Sequence, residues 1–390
     1  MTDGGVATDV PPSIELPLPP RDGRAREPWT VRALLRRAFG PQLFAAARAT
    51  WRLASWKELR LPYPLSFTLR AWARGFKVEN AVLYDLDRVD AGEYVSDYAR
   101  LYRCVHINPI PELFDQKLLL RRVLADHGFV QPETVALITR YGVLDDPLGP
   151  TVRQSTRRQL QDRLIAERGA YIVKPQNGTY GRGIARLEVR EGRLVARRGR
   201  TVRPYDIVTD APPDTLIERV VQQHEFWHGL SPSSVNTLRI LTLWTPGDPA
   251  PFVARAVQRI GTEEGLPTDN WDTGGLLASV DLATGRLGAG RVHRFRSSRA
   301  DRPYSHHPDT GAPIEGATLP FWPRILETTL AAARTLPLAY YIGWDIAVNA
   351  TGEPVFIEGN RNTGVRALQL TRGLLADPPT RRFFEACGVV

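Results

Sequence analysis

The sequence predicts an α+β protein, and three stretches carry that expectation. Residues 339–365 hold two apolar runs, rich in β-branched and aromatic residues, on either side of a polar turn at Thr351-Gly352. That pattern is a β-hairpin. Tyr171-Ile172-Val173-Lys174-Pro175 reads as a buried strand that delivers a lysine into a Gly-rich loop, with a further strand from Ile184. Between the strands, helical periodicity recurs at Glu112–His127, Arg153–Arg168 and Pro320–Leu336. With 390 residues the chain can bury a large core in two or three lobes.

Composition sets the outer bounds. Apolar content of 43% and charged content of 24% suit a soluble globular protein. The longest apolar runs fall well short of a membrane span. The Asp/Gly/Pro-rich N-terminus lacks the apolar region of a signal peptide. Cys104 and Cys387 fit no metal spacing and suit a reducing, cytoplasmic compartment. The formal charge of +9 invites a polyanion partner. Only charge supports that idea, so no nucleic-acid partner is expected. Nearly all basic residues are Arg, and Lys57, Lys77, Lys117 and Lys174 are the exceptions. Lys is the compact point charge for a phosphate, which directs attention to those four.

In chain order, residues 1–28 read as a disordered tail. Residues 29–104 read as a mostly helical region, with Gly40-Pro41 splitting its first helical stretch, 29–60, in two. That stretch is basic and amphipathic. Such a helix can touch a membrane surface, although it more often packs its apolar side at home. Thr134–Thr139 is a short strand, and Arg190–Arg203 is a basic hairpin turning at Glu191-Gly192. Thr215–Val221, Ser234–Trp244, Phe252–Ile260 and Leu276–Leu282 are further strands. Residues 376–390 are left as a C-terminal tail.

The hairpin also carries chemistry. A turn centred on Thr351-Gly352 places Asp345 directly across from Glu358, with Asn360 on the same face. Facing carboxylates repel by roughly 0.2–1 kcal/mol, and a hard cation between them reverses the sign. Two carboxylates and an amide oxygen suit Mg²⁺ that shares its shell with phosphates. A plain solvent-facing hairpin would carry the same residues. In the segment Gln176-Asn177-Gly178-Thr179-Tyr180-Gly181-Arg182-Gly183, glycines let backbone N–H groups approach an oligophosphate. It is not a Walker loop, because GxxxxGK[ST] is absent. The extended backbone around Glu218 could offer its N–H and C=O to an adenine edge, and Glu225 could accept from ribose hydroxyls.

Taken together, these pieces resemble the ATP-grasp superfamily. Lys117, Val173-Lys174-Pro175 with its Gly-rich loop, Glu218-Arg219-Val220-Val221 with Glu225, Asp345, and Glu358-Gly359-Asn360 fall in the superfamily's order. The intervals Asp345 to Glu358 and Glu218 to Glu225 match those of D-alanine–D-alanine ligases. Ser234-Val235-Asn236-Thr237-Leu238-Arg239, Asn270 to Gly275, Gly343-Trp344-Asp345 and Ile357-Glu358-Gly359-Asn360 look most like the sugar-transfer-associated ATP-grasp family. The resemblance covers roughly residues 105–375. It implies two α+β lobes clamping ATP, 105–212 with the Gly-rich loop and 213–375 with the metal site.

The resemblance further implies ATP and Mg²⁺ as cofactors. Lys117 and Lys174 would contact the α- and β-phosphates, and Gln176, Asn177, Gly178, Gly181 and Gly183 would close over the β- and γ-phosphates. Glu218, Arg219 and Val221 would bind adenine and Glu225 the ribose; Asp345, Glu358 and Asn360 would hold Mg²⁺. The implied activity is an ADP-forming ligase joining a small-molecule carboxylate to an amine, in polysaccharide or natural-product biosynthesis. A phosphotransferase would share every nucleotide residue. One position departs from the ligase pattern: an Arg two residues before the first metal carboxylate is Gly343 here. Arg239 and Arg361 are the candidates to replace its charge in catalysis. Arg255, Arg259, Asn270 and Asp272 are candidates for acceptor binding.

Overall fold

The computed structural model describes residues 43, 45–54, 56–177, 183–198 and 201–390. The expected tail at 1–28 and the break at Gly40-Pro41 lie outside them. Residues 49–390 form one compact unit built on two antiparallel sheets.

The first sheet has eight strands in the order β3-β2-β1-β8-β4-β5-β6-β7. They are β1 Thr134–Thr139, β2 Gly142–Asp145, β3 Arg153–Ser155, β4 Tyr171–Pro175, β5 Ala185–Arg190, β6 Arg193–Arg198, β7 Thr201–Pro204 and β8 Thr215–Arg219. The basic hairpin forms as expected. Glu191 and Gly192, both at positive φ, join Arg190 to its partner Arg193. The expected lobe boundary at 212/213 needs correction. It assigns Thr215–Arg219 to the second lobe, whereas β8 lies between β1 and β4 in the middle of the first sheet.

The second sheet has the order β11-β10-β9-β12-β13, from β9 Leu238–Leu243, β10 Phe252–Ile260, β11 Leu276–Ser279, β12 Tyr341–Val348 and β13 Pro354–Asn360. Alternation along β12 divides its two faces. Trp344, Ile346 and Val348 enter a core with Ile325, Ala332 and Ala333 of the helix Trp322–Arg334. Tyr341 enters a second core on the opposite face.

Five helices matter below: α1 Leu65–Ala73, α2 Lys117–Asp126, α3 Arg157–Glu167, α4 Trp322–Arg334 and α5 Pro378–Ala386. The helix expected over Glu112–His127 is broken. Gln116 is extended between Glu112–Asp115 and α2, so Lys117 starts a helix. Arg153–Arg168 likewise divides into β3 and α3, because Thr156 and Gln159 form a capping box that starts the helix there. The strand expected from Ser234 begins at Leu238, since Asn236 spends its side chain on the carbonyls of Trp227 and Ser231.

Neither the C-terminal residues nor those around 95–104 are appendages. Residues 376–390 are not a tail: α5 buries Phe383 and Phe384 completely beside Leu241, Leu243 and Tyr341. Val95, Ala99 and Cys104 join the same core, and the buried Gln369 amide bonds both the N–H and the C=O of Val95. Among the described residues, no helix is long and apolar enough to cross a membrane.

Candidate active site

The acidic hairpin has the predicted pairs but a different turn. Asp345 faces Glu358 and Gly343 faces Asn360. Val348, however, pairs with Pro354, so the loop spans residues 349–353. Asn349 Oδ1 organises it, accepting from the N–H groups of Thr351 (3.1 Å) and Glu353 (2.8 Å). A β-bulge at Ile357 absorbs the difference in register. It also separates two side chains that alternation would put together. Phe356 turns inward against Trp344, with ring centroids 5.3 Å apart, while Glu358 joins Asp345 on the opposite face.

That face carries a charged row across three strands. Glu358, Asp345 and Arg239 are directly paired neighbours. Arg239 grips Asp345 with both prongs of its fork, Nε to Oδ1 at 2.5 Å and Nη2 to Oδ2 at 2.9 Å. Arg259 approaches Asp345 Oδ2 at 3.1 Å and donates to Asp269 at 2.7 Å. Asp269 is buried and also accepts from the Thr237 N–H and hydroxyl. Burial alone pushes the Asp345 carboxyl up, but the Arg239 and Arg259 guanidiniums outweigh it and hold it at about 2. Burial dominates at Asp269, whose carboxyl is raised.

Gly343 opens no space on this face. A Cβ there would lie 2.4 Å from the Thr363 Cβ, so Thr363 occupies that volume. Arg239 Nη1 donates to the Thr363 hydroxyl at 2.7 Å. A guanidinium from the adjacent strand β9 thus reaches the side chain packed against Gly343.

A second charged group lies between the sheets. Glu218 Oε1 is 2.7 Å from Arg121 and 2.9 Å from Lys174, and all three side chains are buried. Burial pushes the Glu218 carboxyl up, but the two cations outweigh it and lower it. Burial, helped by Arg121, lowers the Lys174 ammonium. Arg121 also bonds Thr134 Oγ1 and the carbonyl of the bulge residue Ile357, which ties the first sheet to the acidic hairpin.

Beside this group, between α2 and β13, opens a cavity of about 420 Å³. Lys117, Arg121, Asn177, Glu358, Asn360 and Arg361 give it polar walls, and Phe114, Leu120 and Phe356 give it an apolar one. Lys117 Nζ reaches the Gln176 carbonyl at 3.3 Å, and the Gln176 amide donates to Gln116. Gly183 closes the loop at φ 77°; Gly178 and Gly181 lie outside the described residues.

Other candidates lie elsewhere. The Arg219 side chain clamps Glu133 and Glu167 and stacks on Tyr171, and its N–H donates to the Glu133 carbonyl. Val221 follows a residue whose N–H is bonded to Ala170. Glu225 is exposed and starts the helical turn Glu225–Leu230. Arg361 lines the cavity but pairs with Asp115 at 2.9 Å. Arg255 ties Asp377 and the Gly373 carbonyl at the start of α5. Asn270 caps a helical turn, and Asp272 pairs with Arg366 near His293. Of the four acceptor candidates, Arg259 alone touches the acidic pair. Sequence reasoning missed Arg121, Asp269 and Thr363. Arg121 stands four residues after Lys117, one helical turn on, and Asp269 immediately precedes the Asn270 segment.

For a divalent cation, Glu358 and Asn360 present oxygen-bearing groups to the cavity. Both Asp345 oxygens already face guanidiniums, so Asp345 would share one. Among the described residues, no three His, Cys, Asp or Glu side chains cluster as a metal cage. The donor set fits a hard ion that takes most of its shell from phosphates and water.

Two antiparallel sheets, a lysine strand leading into a Gly-rich loop, and an Asp/Glu/Asn hairpin beside a cationic cavity define an ATP-grasp fold. The chain belongs to the sugar-transfer associated ATP-grasp family, whose model matches residues 97–379. Among solved structures it is similar to the ATP-grasp ligase PsnB complexed with minimal precursor (14% identity, 72% of this chain, 63% of that chain, TM-score 0.36). It is also similar to the D-alanine–D-alanine ligase from Coxiella burnetii (12%, 71%, 53%, 0.35). A third is D-alanyl-alanine synthetase A from Vibrio cholerae O1 biovar eltor (9%, 71%, 65%, 0.40). The matches span less than two thirds of these chains, and likeness at this level says nothing about substrate. No curated protein matches the chain.

Proposed function

We propose that this protein is an ATP- and Mg²⁺-dependent ligase of the reducing cytoplasm. It activates a small-molecule carboxylate as an acyl phosphate and couples it to an amine, in polysaccharide or natural-product biosynthesis. One observation carries the reading: Lys117 and Arg121 share a cavity with Glu358 and Asn360, and the Asp345–Arg239–Arg259 row stands behind that acidic wall. Family membership supports it.

The roles follow from charge. Glu358, Asn360 and a shared oxygen of Asp345 would hold Mg²⁺, which would neutralise phosphate oxygens during transfer. Lys117 and the loop residues Gln176, Asn177 and Gly183 would place positive charge and N–H donors along the phosphates, and Lys174, held against Glu218, would add to the charge. The backbone of Glu218 and Arg219 is paired within the first sheet, so of this segment Val221, just past β8, would meet the adenine edge, and Glu225 the ribose. A substrate carboxylate oxygen attacks the γ-phosphorus, the bond to the β-phosphate oxygen breaks, and ADP leaves. Arg239 and Arg259 supply the field that Gly343 cannot. The amine then attacks the acyl carbon, phosphate departs, and the nitrogen loses a proton.

Incubation with ATP, Mg²⁺, a panel of carboxylic acids and hydroxylamine tests this. ADP, phosphate and a hydroxamate are expected, with ADP release dependent on the acid. AMP with pyrophosphate refutes the reading. ADP with a stable phosphoester identifies a phosphotransferase instead.

A further inference from the structure

The segment before the catalytic unit shows its apolar side chains to solvent. Trp51 is 83% exposed, Leu65 60%, Leu69 45% and Leu59 42%. Helix α1 is apolar on both sides: Ala71 and Trp72 are buried, while Leu65 and Leu69, one turn apart, point outward. Three of the four exposed residues are followed directly by an exposed arginine, in Trp51-Arg52, Leu59-Arg60 and Leu69-Arg70.

Charge on this segment has one sign. From residue 49 to 77 the bases are Arg52, Lys57, Arg60, Arg70, Arg74 and Lys77, against the single acid Glu58. Glu58 is turned inward, accepting from Trp72 Nε1 at 2.6 Å and from the Val78 N–H at 3.3 Å. Among the described residues, Asp87, 3.7 Å from Arg70, is the one carboxylate paired to Arg52, Arg60 or Arg70. Outward Trp and Leu side chains interleaved with Arg match an anionic bilayer: rings and branched chains enter the acyl boundary while guanidiniums meet phosphates. A protein partner with a plain apolar groove would not account for the missing acids.

We propose that residues 49–74 dock the protein on anionic membrane surfaces, with Trp51, Leu59, Leu65 and Leu69 inserted and Arg52, Arg60 and Arg70 on lipid phosphates. The site lies apart from the nucleotide cavity and does not depend on the proposed reaction.

Flotation of the full chain with lipid vesicles tests it. Wild type should float with phosphatidylcholine vesicles containing about a third phosphatidylglycerol, at least about tenfold more tightly than with phosphatidylcholine alone. High salt should weaken binding. Leu65→Ser/Leu69→Ser and, separately, Arg52→Glu/Arg60→Glu should each weaken it about tenfold or more while circular dichroism stays native. Trp51→Ala, at a side chain too exposed to support folding, should also weaken it. Failure of wild type to float, equal binding to neutral vesicles, or floating of all variants like wild type overturns the proposal. A lipid-free dimer split by the same variants would mark the patch as a contact between copies and overturn it as well.

Discussion

The buried triad of Arg121, Lys174 and Glu218 makes an ordered pair of stability predictions. Two cations share one carboxylate oxygen, at 2.7 and 2.9 Å, and no member is more than 6% exposed. Glu218→Gln leaves a guanidinium and an ammonium side by side without a counter-charge. Losing the partner of a buried charge costs about 3–5 kcal/mol. Arg121→Met instead leaves a neutral Lys174–Glu218 pair and removes bonds to Thr134 and Ile357, so about 1–2 kcal/mol is expected. Urea unfolding at neutral pH measures both. Linkage sets the pH dependence: the folded Glu218 carboxyl is lowered, so its stabilisation is full above the ordinary glutamate value of 4.5. It is lost as pH falls through the lower folded value. The gap between wild type and Glu218→Gln should therefore narrow in acid. ATP should raise the melting temperature of Glu218→Gln more than that of wild type, if phosphates can replace the lost anion. If Arg121→Met destabilises as much as Glu218→Gln, or the gap is independent of pH, the charge accounting for this triad is refuted.

Glu358→Gln should abolish turnover and raise the Mg²⁺ requirement. It should leave the melting temperature unchanged or slightly higher, because a facing carboxylate is gone; full turnover in that variant would remove the metal assignment. Gly343→Ala should destabilise by about 1–3 kcal/mol in urea unfolding by overlap with Thr363, and Thr363→Gly in the same chain should recover part of it. Phe383→Ala should cost about 3–5 kcal/mol in the same measurement, since α5 is core; a change below about 1 kcal/mol would return residues 376–390 to the status of a tail.

The sequence by itself determined the local elements whose cause is local. Short runs rich in apolar and β-branched residues marked Thr134–Thr139 and Phe252–Ile260 to the residue, and Glu191-Gly192 marked a turn that positive φ closes. It also placed Asp345 opposite Glu358, although by a two-residue turn that does not exist. The loop is longer, and the bulge at Ile357 restores the pairing. Only packing against Trp344 decides that bulge, because Phe356 must reach the core while Glu358 must not. Tertiary structure alone put β8 in the centre of the first sheet, brought α5 into the core, and filled the space at Gly343 with Thr363. It also chose Arg239 and Arg259, rather than Arg255, for the acidic pair. Arg239, Arg255 and Arg259 read alike in the chain. The strand neighbours of Arg239 and the first turn of α5 decide which guanidinium meets which carboxylate, and those contacts span more than a hundred residues.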